Sequence, residues 1–130
     1  MESKNSAQNK SRLENPFWYS EIEFIEQDVN FIKQLLKAPV YKQNIPNLFE
    51  RLSSYNNQIE KTSKRIAQFI SEVAIFRKSL DNYPEEDNPN IDEYYYGRQK
   101  HFQDDFKQLD AEFSALKSKI FTYLSGVILK

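Results

Sequence analysis

The sequence predicts an all-α fold in which three helices form an antiparallel up-down-up bundle. A long, coiled-coil-like hairpin of helices 2 and 3 is expected to be half covered by a shorter helix 1. Two observations predict this fold: apolar residues recur at spacings of three and four in three runs, and stretches containing proline separate the runs. The 130 residues amount to one domain, expected at residues 16–130 after a disordered polar tail at residues 1–15.

The predicted tail is almost wholly polar. Residues 1–14 carry one leucine among small, polar and charged side chains. This is too little apolar surface to offset the conformational entropy that ordering would cost, so we expect the segment to be disordered.

Helix 1 is predicted to begin at about residue 16 and to end just beyond Lys37. Asn15 is a good N-cap, Pro16 suits the first helical position, and Pro39 disfavours helix in the residue before it. Its apolar seam alternates spacings of four and three and consists of Trp18, Ile22, Ile25, Val29, Ile32 and Leu36.

Helices 2 and 3 are longer. Helix 2 is predicted to begin at Asn44–Pro46 and to end at Pro84, before an acidic turn, and helix 3 is predicted to begin near Ile91. The seam of helix 2 consists of Ile45, Leu48, Leu52, Tyr55, Ile59, Thr62, Ile66, Phe69, Val73, Phe76, Leu80 and Tyr83. The seam of helix 3 consists of Tyr95, Gln99, Phe102, Phe106, Leu109, Phe113, Leu116, Ile120, Tyr123 and Val127.

The seams also predict which residues face each other, because facing residues of an antiparallel pair have numbers with a constant sum. In helices 2 and 3, Leu48 then faces Val127 and Ile66 faces Leu109, which puts the turn in the acidic loop. In helices 1 and 2, Trp18 faces Ile66, which puts the turn in the first loop. Both turns coincide with predicted loops and so support the up-down-up arrangement.

Helix 1 is too short to cover the whole hairpin. At ~1.5 Å per residue it reaches roughly 33 Å, whereas helices 2 and 3 reach roughly 57 Å. Cover is expected to stop near Ile66 and Leu109, and we call the remainder, residues 67–108, the distal half. Beyond its seam, the distal half carries Ile70 and Ile75, an apolar face wide enough to need a further helix over it.

We therefore predict that the distal half binds another chain, most economically a second copy related by a two-fold axis. A different protein partner, a folded-back tail or a bent hairpin would also cover it. Tyrosines are enriched at interfaces, although packing of the hairpin tip is an alternative role for them. The predicted interface consists of Phe69, Ile70, Val73, Phe76, Tyr94, Tyr95, Tyr96 and Phe102.

Helix 1 carries a second set of candidate interface residues. Phe17, Phe24 and Phe31 repeat every seven residues, about 100° around the helix from its seam. Two interpretations remain open: these rings widen the contact of helix 1 with helices 2 and 3, or they form part of an inter-chain contact.

Composition excludes several classes of function. With 18 Lys+Arg against 19 Asp+Glu the net charge is -1, and nucleic acid is not an expected partner. The absence of cysteine and the single histidine argue against disulfides, thiolate catalysis, a metal site or another cofactor. We expect no membrane association and a cytoplasmic location, since no secretory signal and no apolar run of ~20 residues is present. The excess of Lys over Arg favours a low-GC bacterial source.

The candidate chemistry is sparse. His101 can share a helix face with Asp104 and Asp105, but nothing else gathers around them, and a solvated helix face is the simpler interpretation. The acidic loop that includes Glu85 and Asp87 lacks the glycine of a calcium-binding loop. A basic bias of helix 2 is complementary to the acids of helix 1 and arises from Lys61, Lys64, Arg65, Arg77 and Lys78.

The sequence is therefore interpreted as a non-enzymatic helical protein–protein interaction or scaffold module that self-associates through its distal half. The alternative is a binding protein that holds a small hydrophobic ligand or an unfolded client in its incomplete apolar groove. Catalysis is least favoured because titratable groups do not converge in the predicted bundle.

Overall fold

The structure is a computed structural model. It contains three α-helices and no strand within the residues that it describes, so the predicted all-α bundle is confirmed. Helix α1 spans Glu21–Lys37, α2 spans Leu48–Ser79 and α3 spans Pro89–Val127. Short 3-10 turns at Phe17–Tyr19 and Leu80–Asn82 precede α1 and follow α2. The described residues are 10, 13–14, 16–38, 40–84 and 88–128.

The α-helical part of helix 1 begins later than predicted and ends where predicted. Residues 17–19 form a 3-10 turn, a common feature of helix ends, and the α-helix begins at Glu21. Ala38 is extended, as expected for a residue that precedes proline, and helix α1 therefore ends at Lys37. All predicted seam residues of helix 1 are buried, namely Trp18, Ile22, Ile25, Val29, Ile32 and Leu36.

Helices α2 and α3 pack in the predicted register. The Phe69 ring lies 6.4 Å from the Phe106 ring and 6.1 Å from the Phe102 ring. Near the other end of the hairpin, the Tyr55 and Tyr123 rings lie 5.7 Å apart. These contacts fall within one turn of the predicted facing pairs. At the C-terminal end of α3 the seam differs from the prediction, since Leu124 is buried there and the predicted Tyr123 is half-buried.

Helix 1 reaches further along the hairpin than predicted. Trp18 was expected opposite Ile66, but its ring lies 5.5 Å from the ring of Phe69, one turn further on. Beyond it, Arg77 donates a hydrogen bond to the Tyr19 hydroxyl, and the guanidinium lies 4.3 Å from the centre of that ring. The turn before α1 therefore covers part of the distal half, because its aromatic side chains are long enough to span the hairpin surface.

One residue of the predicted tail belongs to the core. Leu13 is only 1% exposed and clusters with the buried residues of the bundle. Full burial of a leucine side chain stabilises a fold by about 1.5–3 kcal/mol, which favours the core position of Leu13 over a solvated one. The core therefore extends beyond the predicted domain boundary at residue 15. Most of the predicted tail lies outside the described residues, and its disorder stays a prediction.

The loop between α1 and α2 is fastened to the C-terminal end of α3. The backbone N–H of Lys42 donates to the carbonyl of Val127 at 2.8 Å. The Tyr41 hydroxyl donates to the carbonyl of Leu35, at the end of α1. Burial raises the pKa of Tyr41, because the phenolate is more costly to desolvate than the neutral phenol. This end of the bundle is thus closed by backbone and side-chain bonds.

The turn between α2 and α3 is fixed by a helix cap. The Asn88 side chain accepts hydrogen bonds from the backbone N–H groups of Asn90, at 3.1 Å, and Ile91, at 3.4 Å. Pro89 occupies the first turn of α3, where a missing N–H costs nothing. Helix α3 therefore begins two residues before the predicted start. The acidic residues 85–87, considered above for calcium, lie outside the described residues.

Candidate interaction surfaces

Part of the predicted interface is buried inside the single chain. The Phe76 ring lies 5.3 Å from the Phe102 ring and 6.1 Å from the Tyr95 ring, so these side chains fill the seam of their own hairpin. Large aromatic side chains close a two-helix seam without a further helix over it. Their expected role as contacts to a second chain is therefore corrected to a core role. The residues concerned, each at most 5% exposed, are Phe69, Val73, Phe76 and Phe102.

The rest of the predicted distal interface does not form one face. Tyr94 is 63% exposed and Tyr96 is 38% exposed, but residues two apart on a helix point about 200° away from each other. Ile75, on the outer side of α2, is 68% exposed, whereas Ile70 and Tyr95 are half-buried. The exposed apolar groups of the distal half are consequently scattered around the hairpin.

Tyr95 has the alternative role that the sequence left open, packing of the hairpin tip. Its ring lies 5.0 Å from the Tyr83 ring, and its hydroxyl donates to the carbonyl of Ser79 at 3.2 Å. The Tyr83 hydroxyl in turn donates to the Asp92 carboxylate. These bonds join the end of α2 to the beginning of α3 and explain part of the tyrosine run without any partner.

The exposed rings of α1 favour the inter-chain interpretation. Phe24 is 66% exposed and Phe31 is 55% exposed, so more than half of each side chain faces solvent. Beside them, Asp28 of α1 accepts a hydrogen bond from Lys117 of α3 at 2.8 Å. The side chain of Phe17 lies outside the described residues.

The basic side chains of α2 are not aligned with the acids of α1 as the sequence suggested. Arg65 pairs with Glu112 of α3, and Arg77 binds the Tyr19 hydroxyl. The ion pair that the structure shows between α1 and α2 has the opposite polarity, with Lys33 of α1 3.6 Å from Glu60. Two of the five basic residues of helix 2, Arg65 and Arg77, therefore already bind groups within the chain.

Phe49 is an exposed aromatic that the sequence argument did not single out. It lies in the first turn of α2 and is 78% exposed. The signal was present, because Phe49 directly follows the seam residue Leu48 and so faces away from the core. Together with Leu36 and Lys37 of α1, it lines a groove at this end of the bundle.

A small apolar cavity lies between α1 and α2, with a volume of about 160 Å³. Glu23 and Glu26 stand at its α1 side. The cavity is near the size that holds one benzene ring in an engineered protein core, about 150 Å³. Its other lining residues are Trp18, Tyr19, Ile22, Phe69, Ile70 and Val73.

A larger, polar groove of about 310 Å³ lies between α2 and α3. It contains the predicted histidine pair, in which Nε2 of His101 is 3.5 Å from Oδ2 of Asp105. Both side chains are largely exposed, and Asp104 does not line this groove. Arg65 and Glu72 form the opposite wall. The groove therefore places a solvated His–carboxylate pair beside charged groups, without a hydroxyl nucleophile among its lining residues.

The described residues contain no cluster of three or more His, Asp or Glu side chains that is arranged to hold a metal ion. Within the same residues, no helix is both long enough and apolar enough to cross a membrane. No protein family, no curated protein and no solved structure matches the chain.

Proposed function

We propose that the protein is a non-enzymatic helical scaffold module, resident in the cytoplasm, that works by associating with a copy of itself. The observation that supports this proposal is the exposure of large apolar side chains, although the seam residues already pack against each other within the chain. Monomeric soluble proteins keep their exposed apolar patches small, and larger ones mark interaction sites. The exposed side chains are Phe24, Phe31, Phe49, Ile75, Tyr94 and Tyr96.

Two surfaces compete for this role. The first is the distal half, expected from the sequence, where Ile75, Tyr94 and Tyr96 remain exposed. The second is the outer face of α1, where Phe24 and Phe31 share one side of a single helix. The α1 face is the more continuous of the two, since residues seven apart lie one above the other.

The non-enzymatic part of the proposal is supported by the distribution of titratable groups. Catalysis usually requires a nucleophile, a base and a stabilising group that converge in a cleft. Here the His101–Asp105 pair lies in an open groove between α2 and α3, and neither Tyr83 nor Tyr95 lines that groove. The hydroxyls of Tyr83 and Tyr95 bind groups at the hairpin tip instead.

Solution mass tests the proposal directly. We expect light scattering on a sizing column to give twice the chain mass of 15.5 kDa over a wide concentration range. The Ile75→Ser/Tyr94→Ser variant probes the distal half, and the Phe24→Ser/Phe31→Ser variant probes α1. A monomer at every concentration, up to the millimolar range, would contradict self-association on either surface.

The apolar cavity supports a second candidate function, binding of a small hydrophobic ligand or an apolar side chain of a client. Trp18, the only tryptophan, lines the cavity and reports on its occupancy. If the cavity binds ligands, an apolar fluorescent dye should shift the Trp18 emission at a one-to-one ratio. Ile70→Phe, which fills the cavity, should abolish that shift while Ile75→Phe, outside it, should not. No shift in the wild type would dismiss this candidate.

A further inference from the structure

Helix α1 carries a second seam on the side away from the bundle. Its members follow each other at spacings of four and three, all are exposed, and none is charged. The six charged residues of this 17-residue helix all lie off the seam. Uncharged residues at heptad spacing are typical of a helix that packs against another helix. The second seam consists of Ser20, which is the N-cap residue directly before α1, and of Phe24, Gln27, Phe31 and Gln34.

We infer that the second seam binds the same seam of a second copy of this chain, with the two α1 helices antiparallel across a two-fold axis. The inference rests on the proposed self-association and specifies its surface and geometry. Large and small residues alternate along the seam, with phenylalanine at Phe24 and Phe31 and smaller polar groups between them. Antiparallel pairing sets each large residue against a smaller one, whereas parallel pairing would set large against large and leave gaps elsewhere.

One antiparallel register sets large residues against smaller ones and also sets acidic residues against lysines. If the two-fold axis passes at the level of Val29, Phe24 faces Gln34 of the second copy and Phe31 faces Gln27 of the second copy. The same register brings Glu23 beside Lys37 of the second copy, twice per dimer. Glu23 and Lys37 are exposed, and neither has an ion-pair partner among the described residues of its own chain. Parallel pairing would place like charges together, because the acids lie in the first half of α1 and the lysines in the second.

The same register brings Asp28 near its own symmetry mate. This approach of like charges is neutralised, because each Asp28 carboxylate already lies 2.8 Å from the Nζ atom of Lys117. Two ion pairs then meet at the axis with alternating signs. Asn30 lies on the other side of the seam and faces Asn30 of the second copy, where two amides are able to exchange hydrogen bonds.

The first test compares two double variants by light scattering over a concentration series. Phe24→Ser/Phe31→Ser should convert the dimer to a monomer, since it removes the two large residues of the second seam. Ile75→Ser/Tyr94→Ser likewise removes two exposed large side chains, from the distal half, and should leave the dimer intact. All four residues are exposed, so circular dichroism and thermal melting should show both variants folded.

A charge exchange tests the register. Glu23→Lys and Lys37→Glu should each raise the dissociation constant, by about three- to tenfold at low salt, because each change turns two attractive pairs into repulsive ones. The double variant Glu23→Lys/Lys37→Glu should recover the affinity of the wild type. A double variant that is weaker than either single variant would overturn this register.

Cross-linking tests the antiparallel geometry, and it is specific because the chain has no cysteine. Asn30→Cys should form a covalent dimer with a short bifunctional thiol reagent. Gln34→Cys should not, because the two copies of residue 34 are then offset by about 15 Å along the helices. Equal cross-linking at both positions would show parallel pairing and overturn the antiparallel geometry.

The outcomes separate this inference from the proposed function. A wild-type monomer at every concentration would overturn both. A dimer that survives Phe24→Ser/Phe31→Ser but is split by Ile75→Ser/Tyr94→Ser would overturn the inference and leave self-association standing, through the distal half. A dimer that only the α1 variant splits supports both.

Discussion

The two halves of the hairpin bury the same kind of seam by different means. In the proximal half, which is the remainder of the hairpin, helix α1 packs aliphatic side chains such as Ile25 and Ile32 against the seam. In the distal half, aromatic rings close the seam from within, and the turn that contains Trp18 and the beginning of α1 reach over its first residues, near Phe69 and Val73. The difference shows that an unbroken heptad pattern predicts which residues are buried, but not whether another helix or the side chains of the same hairpin bury them. Side-chain size decides how much cover a seam needs.

The largest expected effect comes from removing the ring that covers the distal half. Trp18→Ala should lower the free energy of unfolding by about 3–5 kcal/mol, because it leaves a void against Phe69 and Phe106. Hydrogen exchange should then quicken chiefly in residues 69–83 and 95–106. Ile32→Ala, buried in the proximal half, is the matched control and should quicken exchange there instead. Identical exchange patterns for both variants would mean that the halves unfold as one unit.

A smaller effect is expected at the distal turn. Asn88→Ala removes the cap of α3 and should lower the free energy of unfolding, measured by chemical denaturation, by about 0.5–2 kcal/mol. Asn90→Ala is the control, since Asn90 contributes only its backbone N–H to the cap and its side chain is exposed. Equal losses for the two variants would show that Asn88 does not act as a cap.

The tyrosine hydroxyls at the tip should contribute about as much as ordinary hydrogen bonds. Tyr95→Phe keeps the ring against Tyr83 but leaves the carbonyl of Ser79 without its donor. A loss of about 0.5–1.5 kcal/mol is expected in thermal or denaturant unfolding. Tyr94→Phe, at an exposed position, should change stability little. If Tyr95→Phe leaves the free energy of unfolding unchanged, the packing of the ring and not its hydroxyl stabilises the hairpin tip.

The smallest effect concerns alkaline pH and the proximal end. Because burial raises the pKa of Tyr41, the neutral phenol stabilises the fold. This stabilisation is complete below the ordinary tyrosine pKa and is lost as pH rises through the raised value. As pH rises above about 10, the wild type should therefore lose more stability than Tyr41→Phe does. Parallel pH profiles for the two proteins would show that Tyr41 ionises as easily in the fold as in the unfolded chain.

Much of the fold was predictable because its determinants are local. The residue before Pro39 ends α1, and the heptad seams of helices 2 and 3 fixed the pairing of the hairpin. The prediction is wrong where long side chains act at a distance from their own turn. Trp18 reaches Phe69, one turn beyond Ile66, and Leu13 packs in the core although it belongs to the predicted tail.

The candidate surfaces were predictable only in part. The seven-residue repeat identified Phe24 and Phe31 before their exposure was known. The distal residues were misjudged, because a sequence shows that Phe76 and Phe102 are apolar but not that they cover each other. Burial by a neighbouring helix and burial by a partner leave the same apolar pattern in the chain.

The helices, their order and the register of the hairpin follow from the amino-acid sequence, because spacing and proline positions are properties of the chain. Which apolar residues remain on the surface follows from the packing of the helices, because exposure depends on the reach of side chains from other helices. Phe24 and Phe31 therefore face solvent on the outer face of α1, while the seam behind them is buried.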